Sequence, residues 1–393
     1  MAPRAIGLML VVAACGSADG ASGGITVRDS AGVQIVEHEL AALDAVCRVD
    51  SVPSVRIGVA EGPEEYMFYR LFGATQLSDG RIVIVNQGSQ EIRYYAPDGT
   101  FLQRAGRGGE GPAEFSNAFY IWQTRGDTVY VGDYRPWQFE VFSPEGEWIR
   151  GVRPEPPYAN LPGVISVLAD GRLVLAKDES WKFGAPGFVP DSLTVVVHSA
   201  DGTRSDSLVR LENGHWGRPG GSNSVRSYRF FESFAQVSAR GSTIALGHGS
   251  RPELRLYGAS EAPALQSIVR WSVPDRAVTP SDVDAERDRI NDEYGNPDLV
   301  DAAQPVADSF PAFSWVEMGR DGRIWVREYR RPTEPSGQRW IGFDGSGRFA
   351  CTATMPSDDV VLEFGADYVL MKDPDADGVE RVSRFRLGAP GGM

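Results

Sequence analysis

Four places in the sequence hold residues whose types and spacing could do chemistry. Asp373-Pro374-Asp375-Ala376-Asp377-Gly378 has the opening spacing of a calcium loop, with carboxylates at alternate positions and a glycine for the sharp turn. The twelfth position, where such a loop needs a bidentate glutamate, holds Arg384, so the segment reads as an acidic hairpin turn. His38, His198, His215 and His248 show no metal-ligand spacing, and no nucleophile elbow, HExxH or phosphate loop is present. Arg104, Arg107, Gly108, Gly109 and Glu110 form a glycine-rich corner that could offer backbone N–H groups to an anion, but Glu110 and Glu114 oppose one. Aromatic residues are the better binding signal. Tyr134-Arg135-Pro136-Trp137 lies between two strand patterns. Trp181, Phe183, Phe188, His215, Trp216 and Tyr228 lie in two long segments, 179–192 and 212–229, that read as loops, with Phe230 and Phe231 directly after the second. Flat rings on loops suit stacking against a glycan or peptide; the alternative is that they cover apolar faces.

The elements that must position these residues repeat. Ala74 to Phe115 reads as one four-stranded unit with turns at Asp79-Gly80, Gln87-Gly88-Ser89 and Pro97-Asp98-Gly99. The strand, Asp/Gly turn, apolar strand pattern occurs six times, at 74–86, 121–133, 166–178, 235–248, 316–328 and 361–373. Third strands follow each, and four of the first five units also have a clear fourth; for the third unit, Ser207 to Leu211 fits that place. A four-stranded unit of about 40 residues that recurs is the signature of a β-propeller blade. The expected fold is therefore all-β, a six-bladed β-propeller. The sixth unit has no fourth strand after Leu387, whereas Ser54 to Val59 is an outer strand with no unit upstream of it. Gly62-Pro-Glu-Glu-Tyr66 repeats as Gly111-Pro-Ala-Glu-Phe115, which places Ser54 to Val59 at the end of a unit. The chain is thus expected to close by lending this N-terminal strand to the last blade. Between units four and five, Thr279 as N-cap, Pro280 at the first helical position and Asp282 three residues after the cap predict an inserted helix. It is expected to lie over one mouth, either as a lid or as a passive cap.

The N-terminus carries the most specific short motif. A short basic start, the apolar stretch Ala5 to Ala14 and Val12-Ala13-Ala14-Cys15 resemble the signal peptide and lipobox of bacterial lipoproteins, in which the cysteine is lipidated. Residues 16–24 read as a flexible tether, 25–388 as the propeller and 389–393 as a tail. Setting Cys15 aside leaves Cys47 and Cys351, which an oxidising compartment allows to pair; two buried free thiols are the alternative. Cys351 falls on the outer strand of the fifth unit, and Cys47 just before the strand that closes the sixth.

The six units, the GRGGEGPAEF corner, the insertion after unit four and the closing YVLMKDPDADGVERVSRFRL resemble exported bacterial six-bladed propellers near the NHL-repeat and TolB-like groups. That family carries no agreed activity, so the resemblance implies a fold and a cell-envelope location. Some six-bladed propellers are lactonases or lyases with a channel metal, and Asn86, Asp133, Asp178, His248 and Glu328 recur near such positions. Side chains at one place in a repeat can equally bond turn backbone, the preferred reading here. The net charge of −14 disfavours nucleic acid and anionic lipid as partners. The sequence thus points to a monomeric, lipid-anchored binding module for a peptide, glycan or envelope protein, without a cofactor. A metal-dependent hydrolase or lyase is the alternative. Replacing Cys15 by Ser is expected to abolish incorporation of radiolabelled fatty acid and to move the protein out of the membrane fraction.

Overall fold

The computed structural model describes residues 23–134, 137–155, 164–178, 187–218, 227–294 and 304–391. Their strands assemble mainly into six sheets. Sheet one comprises Leu71–Gln76, Ile82–Asn86, Glu91–Tyr95 and Phe101–Ala105. Sheet two runs through Ala118–Gln123, Val129–Tyr134, Trp137–Phe142 and Trp148–Val152. Sheet three holds Val164–Val167, Leu173–Asp178, Gly187–His198, Ser205–Arg218 and Ser227–Tyr228. Sheet four contains Ala235–Arg240, Thr243–His248, Glu253–Gly258 and Ala264–Trp271. Sheet five contains Phe313–Met318, Ile324–Glu328, Arg339–Phe343 and Phe349–Thr354. Sheet six takes Val361–Phe364, Tyr368–Lys372 and Val382–Arg386, with Val55–Ile57 as its fourth strand. The result is a propeller-type all-β fold with one α-helix, α1, at Pro280–Tyr294.

The local chemistry explains the meander. In each of the tripeptides Asp79-Gly80-Arg81, Asp170-Gly171-Arg172 and Asp321-Gly322-Arg323 the aspartate accepts the backbone N–H of the arginine two residues on. The intervening glycine adopts positive φ, as such a turn requires. The arginine then reaches across to the next sheet, where it donates to the carbonyl of Pro144, Ser260 or Ala366. One tripeptide therefore makes the turn and also clasps the neighbouring sheet. The second strand that follows is apolar on both faces; Ile82–Asn86 is buried at every position. Each consecutive pair of sheets encloses an apolar core, and Ile57, Leu71, Tyr95, Leu370 and Val382 form one between sheets six and one. The first strands touch in order, and that of sheet six touches that of sheet one.

The N-terminal segment laces the last three sheets together. A hairpin of Ile25–Ser30 and Val33–His38 adds to the edge of sheet four, its second strand running parallel to Ala264–Trp271. His38 donates from Nδ1 to the Arg270 carbonyl and accepts the Phe349 N–H at Nε2, bridging sheets four and five as a neutral ring. Burial holds its pKa below the usual histidine value. Farther on, Val46 bridges to Thr352 and a disulfide joins Cys47 to Cys351, with Cα atoms 5.6 Å apart. Val49 then bridges to Leu387, and Val55–Ile57 pairs with Val382–Arg384.

One sequence expectation is corrected. Parts of 179–192 and 212–229 read as loops, but Gly187–His198 and Ser205–Arg218 are long paired strands. Gly187, Pro190 and Gly217 sit within the ladder, and Phe188 and Trp216 stand opposite Gly217 and Val189. Helix α1 forms with the expected capping box: Asp282 accepts the Thr279 N–H at 2.9 Å, while its own N–H approaches the Thr279 hydroxyl at 3.4 Å.

The disulfide closes a loop of 304 residues, so its loss releases much unfolded-chain entropy. Cys351→Ser is expected to lower unfolding stability by about 2–5 kcal/mol, with no further loss on adding reductant, as read by guanidinium titration.

Candidate functional site

In every sheet, the beginning of the first strand, the end of the second and the beginning of the third lie at one end, which is called here the mouth. In sheet one, for example, Leu71 pairs with Asn86, which pairs with Glu91. The opposite end carries the Asp-Gly-Arg turns. Two polar assemblies lie along this axis, one toward each end.

Toward the turn end, Thr75, Trp122, Ser166, Ser238, Glu317 and Glu363 occupy the equivalent place in the six first strands, opposite Val83, Tyr130, Val174, Ala245, Trp325 and Leu370. A first strand has one edge with no strand beside it, so its backbone N–H groups need partners. In three sheets the residue at this place supplies one to the next sheet. The Ser166 hydroxyl accepts the Ala239 N–H at 3.3 Å, Ser238 accepts Met318 at 3.0 Å, and Glu363 accepts Gln76 at 3.0 Å. Glu363 is buried and also accepts from the Thr75 hydroxyl (2.6 Å), the Tyr368 hydroxyl (2.6 Å) and the Arg240 guanidinium (2.9 Å).

Glu317 differs. Among the described residues it accepts only the Trp315 indole N–H, at 3.3 Å, and Trp315 is 46% exposed on the same inner edge. Burial pushes the Glu317 carboxyl up to about 7, aided by the nearby Glu363 charge; the Trp315 bond and Arg240 offset only part of this. The ring thus combines one fully engaged carboxylate with one acid that titrates near neutrality.

Toward the mouth, Trp216 and Tyr228 are cross-strand neighbours in sheet three, their rings edge-on with centroids 5.3 Å apart. Both pack on Phe234, at 5.9 and 5.2 Å, and Tyr228 remains 47% exposed. The backbone of Tyr228 is fixed by Gln304, whose side-chain amide donates to its carbonyl at 2.6 Å. Trp137 stands elsewhere, at the start of its strand opposite Tyr134, with its indole packed beside Tyr120 and Trp122 on the core between sheets two and three. The structure therefore brings Trp216 and Tyr228 together and leaves Trp137 with the core. Phe230 and Phe231 are also removed from the binding set: both are buried with Phe310, Val283 and Ile290 as the seat of α1. Arg135, Trp181 and Cys15 lie outside the described residues.

Two of the recurrent polar residues at the ends of the second strands, Asn86 and Asp133, serve the backbone. Asn86 accepts the Tyr69 N–H at 3.0 Å, and Asp133 accepts those of Ser116 and Asn117 at 2.7 and 2.8 Å. Each holds the crossing into its own sheet. His248 contacts Ser250, and Glu328 pairs with Arg339. Among the described residues no group of three His, Cys, Asp or Glu side chains could hold one metal ion. Asp375 accepts the N–H groups of Asp377 and Val379 and pairs with Arg381, an acidic turn satisfied by its own loop. Likewise Glu114 fills the glycine-rich corner, accepting the Gly111 N–H and pairing with Arg107. Sequence reasoning missed the ring at the inner edge. Its signal was a polar residue at one position of an otherwise apolar repeat, visible only once the six first strands are in register.

No protein-family model matches the chain, and no curated protein sequence matches it. Solved structures with a similar course include a candidate exported protein of Bacteroides fragilis (TM-score 0.47, 11% identity, 87% of this chain and 95% of that one). Others are a gluconolactonase of Xanthomonas campestris (0.42, 12%, 87% and 97%) and a virginiamycin B lyase of Staphylococcus aureus (0.40, 10%, 84% and 98%). Likenesses this distant carry no statement about activity or ligand.

The raised Glu317 pKa has a definite sign. Between the ordinary value of 4.5 and about 7 the folded state holds a proton that the unfolded state has lost, so this group makes stability fall as pH rises through that window. Glu317→Gln is expected to match the parent at pH 4.5 and exceed it at pH 8 in urea unfolding. A variant equally destabilised at both pH values would contradict this assignment.

Proposed function

We propose that the chain is an exported, lipid-anchored six-bladed β-propeller that binds a peptide, glycan or partner protein across its mouth. Support for the ring comes from the six sheets, the shared core between sheets six and one, and the strand that residues 55–57 lend to the last sheet. The lipobox-like Val12-Ala13-Ala14-Cys15 supports the anchor, with residues 16–24 as the tether. The body then stands as a monomer on the cell envelope.

The observation that carries the binding reading is the exposed Tyr228 ring, propped edge-on by Trp216 and Phe234. A rigid aromatic held half out of the surface offers contact area at little conformational cost, the usual character of a recognition anchor. The alternative of a metal-dependent hydrolase requires ligands converging on one point. The carboxylates of the described inner edge are instead engaged with Arg240, hydroxyl groups, an indole N–H and backbone N–H groups.

A glycan array and an envelope-peptide array probed with the purified protein test this reading. Tyr228→Ala is expected to weaken any retained ligand about tenfold or more while leaving the unfolding midpoint unchanged. Full retention by Tyr228→Ala and Trp216→Ala alike would move the recognition surface away from sheet three.

A further inference from the structure

Beside this aromatic face lies a cleft between α1 and the strands and loop of sheet five. One half encloses about 520 Å³ and includes Glu286, Arg289, Arg327 and Gln338; the other encloses about 490 Å³ and includes Arg276 and Arg339. Glu328, Tyr329, Arg330 and Arg331 belong to both halves, which makes the space continuous and of a size that takes a small molecule. The cleft adjoins the seat of α1: Phe310 in its wall packs on Phe231 at 4.7 Å and on Tyr329 at 5.5 Å. Each half is lined by four arginines against three carboxylates, on a chain whose net charge is −14.

Most of these arginines are occupied. Arg330 pairs with Asp358 at 3.2 Å, Arg339 with Glu328 at 3.1 Å, and Arg289 with Glu286 and Glu293. Arg276 donates to the carbonyls of Phe310 and Ser250, and Arg331 to that of Asp275. Arg327 is the exception. Its Nε donates to the Ser314 hydroxyl at 2.9 Å and its guanidinium lies 6.0 Å from the Trp340 ring centre, but among the described residues its terminal nitrogens have neither hydrogen bond nor ion pair. Burial pulls its pKa below the usual arginine range, with the Asp358 charge opposing. A half-buried cation without a counter-ion is costly and is relieved when an anion arrives.

A second orphan sits on the same wall. Gln338 is 8% exposed, its amide nitrogen donates to the Asp359 carbonyl at 2.5 Å, and among the described residues its buried Oε1 has no partner. That bond fixes which end of the amide is the acceptor, so the cleft presents an unmet acceptor as well as an unmet cation. The two demands are complementary to a molecule bearing both an oxyanion and a hydroxyl group. Arginine suits the first because its planar fork matches a carboxylate or phosphate with two parallel bonds.

Resting on the mouth as the binding face, we infer that the cleft beneath α1 binds a hydroxylated oxyanion, a sugar acid or sugar phosphate, through Arg327 and Gln338. Isothermal titration of the detergent-solubilised full chain with D-glucuronate, glucose 1-phosphate and glucose tests it. At least one of the two anions should bind, glucose should bind at least tenfold more weakly, and which anion wins distinguishes carboxylate from phosphate. Arg327→Gln should weaken the anion at least tenfold, and the free variant should unfold no earlier than the parent, since an unpaired charge has been removed. Gln338→Ala should weaken the anion as well. The inference is overturned if neither anion binds, if glucose binds as well as the anions, if either variant binds like the parent, or if free Arg327→Gln unfolds earlier. Tyr228→Ala separates the two readings: anion binding lost in Arg327→Gln but kept in Tyr228→Ala upholds the cleft even if the aromatic anchor fails, and the reverse pattern rejects the cleft alone.

Discussion

The strand Val55–Ile57, lying antiparallel on Val382–Arg384, is the contact on which the rest of the architecture depends. It supplies sheet six with its fourth strand, and Ile57 becomes part of the core that sheet six shares with sheet one. Three residues of ladder would hold little by themselves. They are reinforced by what precedes them: the hairpin on sheet four, the His38 bridge to Phe349, the Cys47–Cys351 bond and the Val49–Leu387 bridge. Residues 25–57 therefore act less as a separate element than as a lace through the outer edges of three sheets.

The inner edge solves a different problem. The first strand of each sheet leaves one row of backbone groups unpaired, and no further strand can cover them. Small hydroxyls do so between sheets three and four and between four and five, whereas Glu363 does so between six and one. A carboxylate in that role demands compensation, which Thr75, Tyr368 and Arg240 provide together. Glu317 occupies the same register without such a retinue, so its proton stays on to near neutrality. One position in a repeat can thus be structural in three sheets and chemically distinctive in another.

Much of the strand pattern was legible because it is local. Asp-Gly-Arg turns, apolar second strands and the Thr279–Asp282 capping box depend on neighbours a few residues away, and each forms where its residues predict. The loan of Val55–Ile57 was legible for another reason: a unit lacked a strand and an unassigned strand existed. What stayed hidden depends on partners far apart in the chain. Nothing near Ile25–His38 indicates parallel pairing with residues 267–271, and nothing near Trp216 separates a long hairpin arm from a loop. The arginines of the cleft look alike in sequence, and only the fold shows that Arg330 and Arg339 have carboxylate partners while Arg327 has none among the described residues.

The lace also sets an order of events. Residues 25–57 are made early, yet outside their own hairpin the strands and bridges they form use partners from Ser267 to Gly391. Apart from that hairpin, this leading segment must therefore wait while the intervening sheets form, and long-range pairing of this kind is slow. Between Cys47 and Cys351 the sequence holds no other cysteine. Oxidation of that pair therefore ties the N-terminal segment to the fifth sheet only after nearly the whole chain has been delivered.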